Sequence, residues 1–230
     1  MTADYLSSTN IVGTATVLRV ARAAGVRRVV FTSSREVYGE PTDLPVPENA
    51  PFRPKNAYGM SKVSGEMCCA LFGGHEMETV ILRLANVCGP GDRDRVIPLF
   101  VENALTGLPL TVYSGAQILD FVHVDHVVDA LMKAGFGEHI DCPVNVGSGE
   151  GTRIAELAAR ILKLTNSDSQ ISWKPSRDVE VVRFVADTTR AKTLLGLNPP
   201  EDGLLRLGEL IAWTAKENQR VAKVPRSVAV

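Results

Sequence analysis

The sequence predicts an α/β fold built on a parallel sheet, and three observations carry that prediction. The runs Val29 to Ser33 and Glu78 to Leu84 are short and rich in β-branched residues. They lack polar alternation, as parallel strands covered on both faces do. Helical patterns precede, separate and follow them, giving the strand-helix alternation of layered α/β domains. Apolar residues make up 45% of the 230 positions and charged residues 22%, enough for one domain or a two-lobed one with a real core.

In chain order, Leu6, Ile11, Val17, Leu18 and Ala21 recur at helical spacing between Asp4 and Ala24, and Gly25 supplies the stop. The strand Val29 to Ser33 follows. Between Gly39 and Asn56, Pro41, Pro45, Pro47, Pro51 and Pro54 rule out regular structure, so this stretch is a long ordered loop of the kind that often carries function. Tyr58 to Leu71 reads as a helix, Glu78 to Leu84 as a strand, and Ile97 to Leu105 as a helix closed by Gly107. Leu110 to Tyr113, Phe121 to Val124 and Pro143 to Val146 read as short strands. Helices are expected near Asp125 to Ala134, Ile154 to Leu164, Thr188 to Leu195 and Leu204 to Lys216. Asp187 and Gly196 frame the third of these. There is no internal repeat, and the tail from 221 to 230 has little to pack with.

A formal net charge of -1 with interspersed acids and bases argues against a bare electrostatic grip on nucleic acid or an anionic membrane. No basic segment leads into an apolar one, and no apolar run reaches 18 residues, so neither a signal peptide nor a membrane span is expected. Cys68, Cys69, Cys88 and Cys142 form no CxxC pair or metal-ligand spacing. They read as reduced thiols of a cytoplasmic protein.

The chemistry-bearing feature is YGMSK, residues 58 to 62. Tyr58 and Lys62 stand four apart at the head of a helix and so share one face. A phenol ordinarily ionises near pH 10, and a neighbouring ammonium favours the phenolate, which makes the pair able to exchange a proton with an alcohol. A tyrosine and a lysine four apart are also commonplace, so the context decides. That context is TSSREVYG, residues 32 to 39, at the end of a buried strand, where ligand crevices form in open parallel sheets.

NIVGT (10 to 14), VVFTSS (29 to 34), VYG (37 to 39), Glu48, YGMSK and Glu66 occur in that order. RLANVCGPG (83 to 91), DFVHVD (120 to 125), Ala186 with Asp187, Leu195 with Gly196, and Pro199 follow. Together they closely resemble the extended short-chain dehydrogenase/reductase superfamily, and within it the NAD-dependent nucleotide-sugar epimerases and dehydratases. The resemblance implies a partial Rossmann-type parallel sheet, at residues 1-85 and 110-146, with a small α+β substrate lobe at 86-109 and 147-220. It implies Tyr58 as the acid/base, Lys62 on the nicotinamide ribose, and Ser34, four residues before Tyr38, on the reacting sugar hydroxyl. Asn10, Thr32 and Ser33 join Tyr58 and Lys62 in the implied cofactor contacts. Asn86 and Arg177 resemble the substrate asparagine and the diphosphate arginine, although a surface arginine in a turn is an equal reading of Arg177.

Glu36 matches a carboxylate that dehydratases and decarboxylases carry two residues after the Ser34 position, but Arg35 does not match the residue between. Pairing with Arg35 or another base is the plainer reading of Glu36. His123, Asp125 and His126 supply too few ligands for a metal, and Asp125 as a helix cap explains their spacing. Leu119 stands where the family usually has an arginine.

The family also opens with a strand and a GxxGxxG turn that receives the cofactor pyrophosphate. No such turn occurs here, and the GSGEG of residues 147 to 151 reads as a loop before the Ile154 helix. Roughly 60 to 90 residues of a first mononucleotide-binding half are therefore expected to be absent. Val29 to Ser33 becomes an open edge, and NAD binding by this chain is expected to be weak. Micromolar affinity in calorimetry would refute that.

The expectations are a nucleotide-sugar 4-epimerase using NAD on a nucleotide-diphosphate sugar, or a dehydratase or decarboxylase using Glu36, or a non-catalytic module binding a sugar nucleotide or a partner chain. A homodimer packed through residues 4-24 and 58-71 is implied by the resemblance.

Overall fold

The computed structural model describes residues 2–74, 76–138, 140–175 and 181–223. Arg177, and residues 224–230 of the expected tail, lie outside the described residues. The elements are α1 (Ala3–Leu6), a π-helical turn (Ser7–Val12), α2 (Gly13–Ala23), β1 (Arg28–Ser34), a 3-10 turn (Arg35–Val37), α3 (Ala57–Phe72), β2 (Glu78–Leu84) and β3 (Asn86–Cys88). Then come α4 (Val96–Thr106), β4 (Leu110–Tyr113), β5 (Ile118–His123), α5 (Val124–Phe136), β6 (Val144–Val146) and β7 (Gly151–Arg153). The chain continues through α6 (Ile154–Thr165), β8 (Ile171–Lys174), β9 (Arg183–Phe184), α7 (Thr189–Leu195) and α8 (Leu207–Lys223).

Two compact units result. The first comprises Met1–Val87, Ile118–Gly151 and Arg177–Gly203. Its main sheet has the order β1-β2-β6, all parallel, with Arg28 opposite Glu78, Ser34 opposite Leu84, and Leu84 opposite Val146. Leu18 of α2 and Cys69 of α3 pack with Val29, Phe31 and Ile81. Val127, Ala130 and Ala134 of α5 join Val80, Leu82 and Val144. Helices on both faces account for the absence of polar alternation in these strands. Among the described residues β1 is an edge strand, as expected, and Arg28 to Thr32 are accordingly only half-buried.

The second unit comprises Cys88–Gln117, Thr152–Ser176 and Leu204–Val230. Here β4 pairs in parallel with β8, Leu110 opposite Ile171, and Ile97, Phe100, Val101, Leu157 and Ile161 are buried. Gly107 closes α4 at φ 74, a left-handed conformation that glycine adopts without a Cβ penalty.

These units correct the expected division. Leu110 to Tyr113 belongs with the second unit because its partner is β8, and residues 177 to 203 belong with the first, where β9 pairs with β5 and Ala191 and Leu195 enter the core. Neither pairing is local, so composition along the chain did not report it. The N-terminal helix is interrupted by the π-helical turn, and α5 begins at Val124 because His123, not Asp125, caps it: its Nδ1 accepts the Asp125 N–H at 3.2 Å. No helix among the described residues is long and apolar enough to cross a membrane.

Residues 147 to 150 of GSGEG form the expected loop, whereas Gly151 opens β7, and the role of the loop is now specific. The fully buried Asp120 carboxylate accepts the backbone N–H groups of Ser148 (2.8 Å), Gly149 (3.0 Å) and Ala186 (3.0 Å) and the Ser148 hydroxyl (2.7 Å). A Cβ on Gly147 would lie 2.5 Å from Asp120 Oδ2, so the loop closes on the carboxylate only as glycine. Asp120→Ala would strand three backbone donors at about 1 to 3 kcal/mol each. Urea titration should show at least about 3 kcal/mol of lost stability, and a loss under about 1 kcal/mol would mean water replaces the carboxylate.

Candidate active site

The site is built from the C-terminal end of β1 and the first turns of α3. Asn56 starts α3 because its extended backbone places Oδ1 to accept the Gly59 N–H at 2.8 Å. Tyr58 and Lys62 then fall on one face. Lys62 Nζ donates to the Thr32 carbonyl at 2.9 Å and lies 5.2 Å from the Phe31 ring centroid and 5.7 Å from that of Tyr58. Burial strips water from the Lys62 ammonium, which lowers its pKa below that of an ordinary lysine and strengthens its action on its neighbours.

Ser34 ends β1 and caps the 3-10 turn, its Oγ accepting the Glu36 N–H at 3.2 Å. That leaves the Ser34 hydroxyl proton to donate. What holds this turn against α3 is the bare Cα of Gly59: a Cβ there would lie 2.6 Å from the Glu36 carbonyl oxygen and 3.0 Å from Pro54 Cβ. Gly59→Ala must therefore push the turn and the helix apart. We expect a loss of about 1 to 3 kcal/mol in thermal unfolding, and wild-type stability would show that the turn yields freely.

The other expected residues are distributed as follows. Asn10, on the π-helical turn, donates through Nδ2 to Ser61 Oγ at 2.9 Å, and Ser61 donates to the Tyr58 carbonyl at 2.8 Å, so Asn10 supports α3 from behind. Thr32 contributes its carbonyl to Lys62. The Ser33 hydroxyl donates to Glu66 and faces the buried interior. Glu36 binds Arg35 Nη2 through Oε1 at 2.9 Å and Asn56 Nδ2 through Oε2 at 2.9 Å, the pairing that the plainer reading of this residue anticipated. Asn86 accepts from Arg35 Nε at 3.1 Å and donates to the Asp120 carbonyl at 2.9 Å. The structure thus brings together Ser34, Glu36, Tyr58, Lys62 and the Thr32 backbone, with Asn86 joined to them through Arg35. No group of three or more metal-ligating side chains is gathered among the described residues.

Beneath the site lies a buried polar network whose centre sequence reasoning did not single out. Arg83 grips Glu66 in a fork, Nε to Oε1 at 3.0 Å and Nη2 to Oε2 at 2.7 Å, and its Nη1 donates to the Tyr38 hydroxyl (2.9 Å) and the Glu48 carbonyl (2.8 Å). Tyr38 donates to Asn145 Oδ1 at 2.7 Å, and the Asn145 N–H donates to Glu48 Oε1 at 2.9 Å. Burial pushes the Tyr38 pKa up to about 12, so this tyrosine stays a neutral strut. The available signal was a charge inside an apolar strand, Arg83 in ETVILRL, which demands a buried partner.

These residues fit one end of a nicotinamide dinucleotide. Lys62 retains two further ammonium protons for a ribose beside Tyr58. No strand-glycine-helix turn for a pyrophosphate occurs among the described residues, since Gly147 and Gly149 close on Asp120 and Gly151 packs against Ile118 and Val185. The family model of the NAD dependent epimerase/dehydratase family matches residues 2–146. The chain belongs to that family.

Its relatives include the UDP-glucose 4-epimerase of Mycolicibacterium smegmatis, 34% identical over 217 residues that cover 91% of this chain and 68% of the relative. UDP-glucuronic acid decarboxylase 4 of Arabidopsis thaliana is 33% identical over 201 residues, 83% of this chain and 45% of that one. Among solved structures, the Thermotoga maritima UDP-glucose 4-epimerase with UDP-glucose superposes with a TM-score of 0.85 at 30% identity, covering 92% of this chain and 71% of that one. DesIV, a dTDP-glucose 4,6-dehydratase from Streptomyces venezuelae solved with NAD bound, gives 0.88 at 27%, covering 95% and 69%. The α/β fold with parallel strands and the NAD dependence of the family stand as expected from the sequence.

Proposed function

We propose that this NAD-dependent epimerase/dehydratase family chain acts on a uridine diphosphate hexose, inverting its 4-hydroxyl. The observation that carries this reading is the constellation at the end of β1. A phenol and a half-buried ammonium share the first turns of α3, and a hydroxyl with a proton to donate caps the adjacent 3-10 turn. Relatives that act as UDP-glucose 4-epimerases support the choice of substrate.

NAD, when bound, supplies the hydride acceptor and donor. This chain supplies the rest: Ser34 holds the sugar hydroxyl, Tyr58 takes its proton, and the Lys62 charge favours the phenolate. Asn86, Arg177 and Glu36 are the remaining candidates for substrate contact. For the assembly we favour a homodimer through α2 and α3, which expose Val17, Val20, Met60, Met67 and Leu71. Sedimentation at the monomer mass would remove that part of the proposal.

The test is to incubate the chain with NAD and UDP-glucose and follow UDP-galactose by NMR. Appearance of UDP-galactose supports the reading. A second reading, elimination or decarboxylation with Glu36 as proton carrier, is favoured by the decarboxylase relatives and by the place of Glu36 two residues after Ser34. It predicts a product lighter by water or carbon dioxide, whereas epimerisation leaves the mass unchanged.

A further inference from the structure

We infer that Glu36 is a positioning residue, a clasp anchored by Arg35 that fixes the helix cap ahead of Tyr58, and not a proton-transfer group. The inference rests on the reading of Tyr58 as the acid/base.

Both carboxylate oxygens of Glu36 are engaged, in different directions. Oε1 meets Arg35 Nη2 at 2.9 Å and Oε2 meets Asn56 Nδ2 at 2.9 Å. Asn56 uses the other end of the same amide to cap α3, Oδ1 accepting the Gly59 N–H at 2.8 Å. The amide plane is therefore held from both sides, by the 3-10 turn through Glu36 and by α3 through Gly59, one residue after Tyr58. Arg35 is held in turn: its Nε donates to Asn86 Oδ1 at 3.1 Å, and its guanidinium carbon lies 5.9 Å from the Phe184 ring centroid. Asn86 hangs on the Asp120 carbonyl at 2.9 Å. An unbroken chain of polar contacts thus runs from β5 through Asn86, Arg35, Glu36 and Asn56 to the first turn of α3.

Such a chain explains why Arg35 and Glu36 stand together in TSSREVYG. A carboxylate that carries a proton between substrate and solvent must be able to turn; this one is held by a cation on one side and an amide donor on the other. Its side chain is 15% exposed, so water competes little for either contact. The backbone repeats the arrangement, since the Glu36 carbonyl abuts Gly59 so closely that a Cβ there would sit 2.6 Å away. The direction of the Tyr58 phenol depends on the first turn of α3, and an N-cap amide free to rotate would let that turn fray.

The experiment compares Glu36→Ala, Glu36→Gln and the shorter Glu36→Asp in the full chain by two measurements, Gly59 amide hydrogen exchange by NMR and epimerisation of UDP-glucose. Glu36→Ala is expected to speed Gly59 exchange about fivefold, the fold-change of a partly lost cap. It should lower kcat about tenfold with KM within about twofold, as loss of pre-oriented geometry does. Glutamine keeps an acceptor for Asn56 but turns its NH2 toward the Arg35 donor, so it should restore part of the protection and of kcat; aspartate keeps the charge, cannot span both partners, and should resemble alanine. It also serves if Glu36→Ala does not fold.

Unchanged Gly59 exchange in Glu36→Ala and Glu36→Asp would overturn the clasp. So would glutamine failing in turnover while aspartate succeeds, the pattern of a proton carrier. If the wild-type chain shows no turnover, the epimerase reading fails on that arm alone, and the exchange measurement still decides whether Glu36 is a clasp.

Discussion

Tyr58→Phe is expected to lower epimerisation of UDP-glucose by about 10²- to 10⁴-fold, the range of a general acid/base, while KM moves little. Removing one oxygen leaves the ring, its 5.7 Å approach to Lys62 Nζ and the packing of the first turn of α3 in place. Steady-state kinetics on both forms checks this. Turnover within a few-fold of wild type would dismiss Tyr58 as the proton carrier.

The same site sets a pH dependence. Burial lowers the Lys62 pKa, so its charge is lost at a lower pH than that of an exposed lysine. That charge favours the phenolate, so kcat should fall on the alkaline side, starting below the ordinary lysine pKa. Lys62→Met should abolish this alkaline limb, and its persistence in the variant would assign it elsewhere.

Arg83→Met is expected to destabilise the first unit strongly. The guanidinium is buried, grips both oxygens of an equally buried Glu66, and donates to the Tyr38 hydroxyl and the Glu48 carbonyl. Methionine fills much of the volume and replaces none of these bonds. Glu66 is left as a buried carboxylate with the Ser33 hydroxyl as its remaining donor among these contacts. Breaking a buried pair this way costs about 3 to 5 kcal/mol, or roughly 6 to 20 °C in unfolding midpoint for a chain of this size. Calorimetry of Arg83→Met and of Arg83→Met with Glu66→Leu checks the cause. The double variant should be the more stable of the two, because it removes the stranded charge. If it is the less stable, the cost lies in packing and not in the unpaired carboxylate.

The elements that sequence reasoning located well are those with local signals. β2 and β4 match the expected bounds to the residue. α3 and α6 differ from theirs by a residue or two at an end, because a 3.6-residue apolar period, a capping side chain and a terminal glycine all lie within a few positions of one another. The shared face of Tyr58 and Lys62 was legible for the same reason, a spacing of four on a helix, whereas Ser34 was singled out by the family resemblance, four residues before Tyr38. What was not legible depended on distant partners. β7, β8 and β9 are two to four residues long and carry no period of their own. β8 exists because β4 is there to pair with it, and β9 because β5 is. The cap of α5 was assigned to Asp125 because acids are common near helix starts, and only the geometry shows the His123 ring nitrogen taking that N–H.

By itself, the sequence determined the strand-helix alternation and the family, and it supplied the candidates for proton transfer, since each is written in the order and spacing of neighbouring side chains. Tertiary structure alone decided what surrounds those residues. It closes Gly147 and Gly149 on Asp120, turns Ser33 toward Glu66, and shares the Glu36 carboxylate between Arg35 and Asn56. The physical reason is that a buried polar group must find its partner wherever the fold brings one, and no local rule limits how far along the chain that partner lies.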